Sequence, residues 1–205
     1  MNECACAQLA RACGISVACA FPVPGLSGAI AVERYDRAFL GPVENRKLAR
    51  LHQEDFCQAL GFPPYLKYQP ESGEGDYLLY IADLIDAASA NPRADKIEFA
   101  KRLAFDFAVG NSDAHLKNSS LLYNVEWTAR RLAPLYDVTC IPLTGYSTAM
   151  PFAIGKHREL DEIDEGDVLA IALDLGIGLD DWDDAVRQIV NGLTASNTIA
   201  GGDEL

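Results

Sequence analysis

An acid at 113, an amide at 118 and a second acid at 137 are the residues whose types and spacing best suit them to chemistry. They lie in FAVGNSDAHLKN, residues 107–118, and in the LYDV segment around Asp137. An apolar run through Phe99, Leu103, Phe105, Phe107 and Val109 stops at Gly110 and gives way to a polar loop carrying Asn111, Asp113, His115, Lys117 and Asn118. Loops held by a rigid element are where catalytic side chains concentrate. The D-x-x-x-x-N spacing of Asp113 and Asn118 lets one loop present a proton acceptor and a metal ligand to the same phosphate. Residues 119–123 and 131–135 read as a hairpin, which would return Asp137 beside the loop as a second ligand. By spacing alone the pattern is also an ordinary turn, since Asp and Asn cap helices and hold loops.

These side chains need stiff carriers. Residues 93–109 read as a helix, with Pro92 suited to its first turn and apolar spacing at Ile97, Ala100, Leu103, Ala104 and Phe107. That helix, preceded by another over 77–89, delivers the loop at the end of a rigid stem. Residues 2–13 read as a helix closed by Gly14, and 17–23 and 29–32 as short strands joined through Pro24, Gly25 and Gly28. Residues 48–60 carry helical spacing at Leu51, Phe56 and Leu60, with Gly61 at the end. A loop rich in Pro, Gly and Glu covers 63–76. Beyond Asp137, TCIPLTGYSTAMPFAI reads as irregular or strand-like. Two acidic helices, 165–175 and 180–193, close the chain, with Trp182 as a core anchor and a frayed polar tail from Thr194.

Composition bounds the partners. The chain has 205 residues, enough for a sizeable core and one domain or the larger part of one. Its net charge of −13 opposes a phosphate backbone, so direct DNA binding is not expected. The same acidity means that a nucleotide site here would need local cations, which magnesium can supply. No apolar run reaches the ~20 residues of a membrane span and no basic, apolar leader is visible, which points to the cytoplasm. The six cysteines include no C-x-x-C pair and read as reduced thiols.

GNSDAHLKNSSLL followed by RLAPLYDV resembles the catalytic half of the HipA family of serine/threonine kinases, toxin components of bacterial toxin–antitoxin pairs. VERYDR at 32–37, RLHQEDFCQALG at 50–61 with Lys67 and Tyr68 after it, and FAIGKHRELDEI at 152–163 match further pieces in the family's order. The resemblance implies an α+β fold, mainly α with small β elements, the helical lobe of a protein-kinase-like architecture. Residues 1–193 would form this carboxy-terminal kinase domain, with 1–37 the helix and strands up to a hinge, 38–193 the helical lobe, and 194–205 a flexible tail. It implies transfer of the ATP γ-phosphoryl group to a serine or threonine hydroxyl. In that reading Asp113 accepts the proton of the hydroxyl, and Asn118 and Asp137 hold Mg2+. Glu33 and Tyr35 then lie at the adenine hinge, and His115, Lys117 and Tyr136 complete the nucleotide side. His115 fits a loop-stabilising role and Lys117 a phosphate contact. Glu3 is either the acid that pairs with an ATP-binding lysine or a first-turn acid favoured by the helix dipole. The implied partners are an antitoxin-like protein and a protein substrate, in some members an aminoacyl-tRNA synthetase, with DNA reached only indirectly.

A working kinase also needs a phosphate-covering loop and a strand lysine that clamps the phosphates. No G-x-G-x-x-G occurs, and the chain opens at the helix that follows those parts in the family, so the resemblance implies an amino-terminal lobe missing from this sequence. Two other classes therefore stay open. One is a non-catalytic binding module that keeps the fold and engages an antitoxin-like protein. The other is a metal-dependent hydrolase built on Asp113, His115 and Asp137, for which zinc-like affinity would be the mark.

Overall fold

The computed structural model describes residues 1–146 and 148–200. Its spine is α4, Pro92–Val109. Asn91 caps the start, its side chain accepting from the Ala94 N–H at 3.3 Å, and Pro92 fills the first turn, where a missing N–H costs nothing. Gly110 ends the helix in the left-handed region at φ 70°. Helix α3, Tyr77–Ala88, packs against α4 and against α5, Glu165–Leu175. The long α6, Leu179–Ala200, lies along α4 and also meets α1, Asn2–Ala12. Phe99, Leu103 and Phe105 of α4, Ile81 and Ile85 of α3, Ile171 and Leu175 of α5 and Trp182 and Ile189 of α6 form one continuous core. Each such side chain, fully buried, contributes about 1.5–3 kcal/mol. Among the described residues, no helix is long and apolar enough to cross a membrane.

Among the described residues the strands form four small antiparallel sheets. β1, Ala20–Pro22, pairs with β2, Ile30–Val32; β3, Arg37–Leu40, pairs with β4, Lys47–Arg50. β5, Gln53–Asp55, β6, Ser120–Tyr123, and β7, Arg130–Leu132, make a three-stranded sheet, and β8, Ala149–Ile154, pairs with β9, His157–Glu159. The mainly helical α+β architecture with small β elements is therefore as expected, and so is the hairpin after the polar loop.

Three expectations differ. The helix over 48–60 is not there: Lys47–Arg50 and Gln53–Asp55 are strands, and only one turn, α2, Phe56–Ala59, is helical. Pairing with Arg37–Leu40 and with Ser120–Tyr123 overrides the local spacing, and Asp55 starts the turn with a capping box to Gln58. The stretch 38–193 thus holds strands β3, β4 and β5 beside its helices and the expected hairpin. Finally, α6 continues through Thr194 to Ala200; the remainder of the expected tail, 201–205, lies outside the described residues.

α4 also fixes the hairpin that leads to Asp137. Buried Asp95 takes a bidentate pair from Arg131 at 2.8–3.0 Å and the Leu132 N–H at 3.0 Å. One turn pair further along, buried Arg102 donates to the Ala133 carbonyl at 2.7 Å. Beyond it, Leu135 bridges to Val17 in parallel register, and the Asn2 side chain clasps Cys140 by two hydrogen bonds of 2.9 Å. The segment around Asp137 is pinned on both sides.

Candidate active site

The polar loop is closed by its own hydrogen bonds. Asn111 folds back on the last turns of α4, its N–H reaching the Asp106 carbonyl at 2.8 Å and its side-chain amide donating to the Asp106 carboxyl at 2.7 Å. Asp106 is buried, and burial pushes its pKa up to about 7. Further on, the Asp113 carbonyl accepts from the His115 N–H at 2.8 Å and from the Asn118 side-chain amide at 2.9 Å. Leu116, fully buried, anchors the single 3-10 turn Leu116–Asn118, and its N–H meets the Lys67 carbonyl at 3.1 Å. The amide nitrogen of Asn118 being committed to Asp113, its Oδ1 is the atom left for a cation.

The Asp113 side chain is 45% exposed and takes a hydrogen bond of 2.5 Å from the Tyr68 hydroxyl. Both residues line a cavity of about 800 Å³ together with Ser112, Glu71, Arg158 and Glu159. His115 lies behind them, buried, its Nε2 3.9 Å from the Asp113 carboxylate and 2.9 Å from the Lys67 ammonium. An ammonium only donates, so Nε2 accepts and the proton sits on Nδ1, which is buried with no partner among the described residues. Burial lowers the His115 pKa, with Asp113 opposing the shift, so the ring is held neutral. This geometry gives His115 a place in the loop's support rather than in proton transfer.

Asp137 is exposed and, at φ 56°, adopts the left-handed conformation that, Gly aside, Asn and Asp are among the few residues to take up. Its charge is felt at His115, which it pulls toward the protonated form, and at Glu3, whose carboxyl is raised by burial first and by Asp137 second. The loop, the start of α1 and the segment after β7 therefore converge. Tyr136, next to Asp137, donates to the Lys117 carbonyl at 2.7 Å and so accepts from Ser120 Oγ at 2.6 Å. Its ring stacks on Tyr35 with centroids 5.8 Å apart, and burial pushes the Tyr35 phenol up to about 12.

Two residues stand differently from their expected roles. Lys117 turns to the α2 cap, its ammonium 2.6 Å from the Asp55 carboxylate, so its charge is already matched there. Glu33 has an exposed side chain, and its N–H is used by the Cys19 carbonyl at 2.8 Å, at the end of the β1–β2 pair. His115 and Asn118 are held against Asp113, and Tyr35 against Tyr136, whose hydroxyl ties the segment leading to Asp137 to the loop at the Lys117 carbonyl. Among the described residues, no three His, Cys, Asp or Glu side chains gather as a metal site, and His115 spends its Nε2 on Lys67, which removes the basis of the hydrolase trio. Oxygen donors remain, Asn118 Oδ1 and the Asp137 carboxylate, and these suit a hard cation such as magnesium. The residues that sequence reasoning gave no role are Lys67, Tyr68 and Asp106. The KY pair stood out only as part of the resemblance, and an acid inside the apolar run of residues 103–109 was the one local signal for Asp106.

Residues 1–197 match the family described as the HipA-like C-terminal domain. The putative kinase Y4mE of Sinorhizobium fredii is 37% identical over 183 residues, which is 87% of this chain and 41% of that protein. The serine/threonine-protein kinase toxin HipA of Shewanella oneidensis is 31% identical over 84% of this chain and 40% of its own length. Among solved structures, HipA in its complex with HipB and operator DNA from Shewanella oneidensis superposes with a TM-score of 0.80 at 26% identity, over 93% of this chain and 46% of that one. The proinflammatory kinase CtkA of Helicobacter pylori shares the fold alone, with a TM-score of 0.53 at 12% identity over 95% of this chain and 79% of that one. The chain spans about two fifths of the length of the curated relatives it matches.

Proposed function

Because the chain belongs to the HipA-like C-terminal domain family, we propose that it carries the acceptor and metal side of a site that transfers the ATP γ-phosphoryl group to a serine or threonine hydroxyl. The observation that carries this reading is the brace between Asn118 and Asp113. One hydrogen bond of 2.9 Å fixes the proton acceptor and a hard ligand in a single rigid loop, and Tyr136, the neighbour of Asp137, bonds to that loop at the Lys117 carbonyl.

In this reading Asp113 accepts the proton of the attacking hydroxyl while its main chain stays locked by Asn118 and His115. Asn118 Oδ1 and Asp137 would hold Mg2+, which when bound neutralises charge on the phosphates. Tyr35 and Tyr136 offer stacked rings at the hinge beside Glu33, the side on which adenine would lie, and Lys117 supports the loop through Asp55. His115, neutral and buried, adds no charge of its own beside Asp113. Such catalysis is positioning and charge neutralisation, so each member of the set matters more than its reactivity.

The Shewanella relative is a toxin solved with HipB on operator DNA, which supports an antitoxin-like partner for the protein to which this domain belongs. With a net charge of −13, contact with DNA would come through that partner. The substrate in this reading is a protein, an aminoacyl-tRNA synthetase being one candidate, and the setting is the cytoplasm. Calorimetry with ATP and magnesium tests the proposal. Binding that weakens by about tenfold or more in Asp137→Ala supports it, in line with the loss of a metal ligand. Equal heats from both proteins overturn it.

A further inference from the structure

The contact between Tyr68 and Asp113 is more than loop packing. The phenol hydroxyl donates to one carboxylate oxygen of Asp113 at 2.5 Å, the same interaction that an acceptor hydroxyl has to make before it is deprotonated. Asp113 does not need this bond to be placed, since its main chain is already held by the His115 N–H and the Asn118 amide. Tyr68 lines the cavity beside Asp113 and keeps 37% of its surface exposed, so its ring has open space to turn into.

The backbone on either side is fixed. The Lys67 carbonyl accepts from Leu116 N–H at 3.1 Å, the Tyr68 carbonyl accepts from the Tyr77 hydroxyl at 3.3 Å, and the Gln69 N–H donates to the Pro151 carbonyl at 2.8 Å. Only the side chain can swing. Its inward position is favoured by the Lys67 ammonium 4.7 Å over the ring and by the edge of His115 at 5.0 Å. Lys67 and His115 are bonded to each other at 2.9 Å, a contact that does not pass through the Tyr68 hydroxyl.

We infer that Tyr68 is a specificity-determining residue on the acceptor side: its hydroxyl occupies Asp113 in place of a serine or threonine hydroxyl, and transfer starts only when an acceptor displaces it. This rests on the reading of Asp113 as the proton acceptor. In the step concerned, the bond from acceptor oxygen to the γ-phosphorus forms, the bridging bond to ADP breaks, and the acceptor proton goes to Asp113. The same hydroxyl keeps water from that carboxylate oxygen of Asp113, so the cap also holds back wasteful hydrolysis of ATP.

The test compares the wild-type protein with Tyr68→Phe, which keeps the ring and removes the hydroxyl, and with Asp113→Asn. Two readouts are taken, ADP release from ATP and magnesium with water as acceptor, and the rate at which a carbodiimide captures Asp113, followed by mass spectrometry. Removal of one hydrogen bond to a charged group is expected to raise ADP release by about tenfold. Carbodiimide capture of Asp113 rises with it, and the melting temperature confirms that the variant is folded. Slower ADP release in Tyr68→Phe overturns the inference, because the hydroxyl would then assist Asp113. Unchanged capture overturns it whatever the turnover. Turnover that survives Asp113→Asn removes the phosphoryl-transfer reading and the acceptor selection built on it.

Discussion

The side-chain amide of Asn118 donates to the main-chain carbonyl of Asp113 at 2.9 Å, so the residue that would face a cation is also the residue that holds the loop. Asn118→Ala removes both at once. Affinity for ATP with magnesium is expected to fall on the order of tenfold to a hundredfold, as for residues that bind or orient a metal ligand. Calorimetry gives the affinity. A drop confined to titrations that contain magnesium identifies the loss as one of the cation, whereas an equal drop without magnesium would assign Asn118 to the loop alone.

Gly110 joins the α4 stem to the loop at φ 70°, and a Cβ there would come within 2.8 Å of the Pro142 ring. Gly110→Ala therefore meets two penalties, a left-handed conformation that costs about 1–2 kcal/mol for other residues and a clash with a rigid side chain. Urea unfolding is expected to show a loss of about 1–3 kcal/mol, and nucleotide binding falls with it because the loop is re-aimed. Stability within a few tenths of wild type would mean that the turn relaxes freely.

How much of this was legible in the sequence follows the range of the interactions. The stem helix, its Pro92 start and Gly110 stop, and the β6–β7 hairpin are governed by neighbours and were readable. The strands at 47–50 and 53–55 were not, because Gln53 pairs with Leu122 and Arg37 with Arg50, and spacing alone favours a helix there. In the loop, the D-x-x-x-x-N spacing indicated that Asp113 and Asn118 belong to one tight turn, which the bond from the Asn118 amide to the Asp113 carbonyl closes. What the loop's side chains do depends on residues far away in sequence: Lys117 is matched by Asp55, Asp113 is capped by Tyr68, and His115 is bonded by Lys67. The neutrality of His115 comes from burial, which no local pattern carries.

Asp106 sets a pH dependence from inside α4. Burial raises its folded pKa from 3.8 to about 7, with the Asn111 amide and Arg102 only partly offsetting the effect. A raised folded value means that the folded state binds the proton more tightly, so this contribution is full below the unfolded pKa of about 3.8 and declines as pH rises through about 7. Asp106→Asn keeps an oxygen for the Asn111 amide and has nothing to ionise. Its melting temperature is expected to exceed that of wild type at pH 8, with the gap closing toward pH 4. Parallel melting curves across that range would show that Asp106 stays ionised in the fold.

The pair of His157 and Asp167 acts in a different window and bears on the far wall of the cavity. Asp167, in the first turn of α5, accepts from the Lys156 N–H at 2.9 Å and from the Asp164 N–H at 3.1 Å, and its carboxylate lies 2.7 Å from His157 Nδ1. One carboxylate thereby ties the β8–β9 turn to the start of α5, and the same hairpin carries Arg158 and Glu159 to the cavity beside Asp113. The hydrogen bond to Asp167 raises the His157 pKa, while that to His157, with the two N–H groups, lowers the Asp167 carboxyl to about 2. A raised histidine contributes below its unfolded pKa, about 6.5, and its contribution is lost as pH climbs through the folded value. A depressed carboxyl contributes above its unfolded pKa and loses that contribution as pH falls toward about 2. Both are at full strength between about pH 4 and pH 6.5. His157→Gln is therefore expected to lower the melting temperature most near pH 5 and progressively less as the solution becomes alkaline. Amide exchange of the β8–β9 turn should follow the same profile, because the clasp and the turn open together. A variant deficit that is constant from pH 5 to pH 9 would mean that the neutral ring packs as well as the charged one, and that charge at His157 plays no part in holding the wall of the cavity.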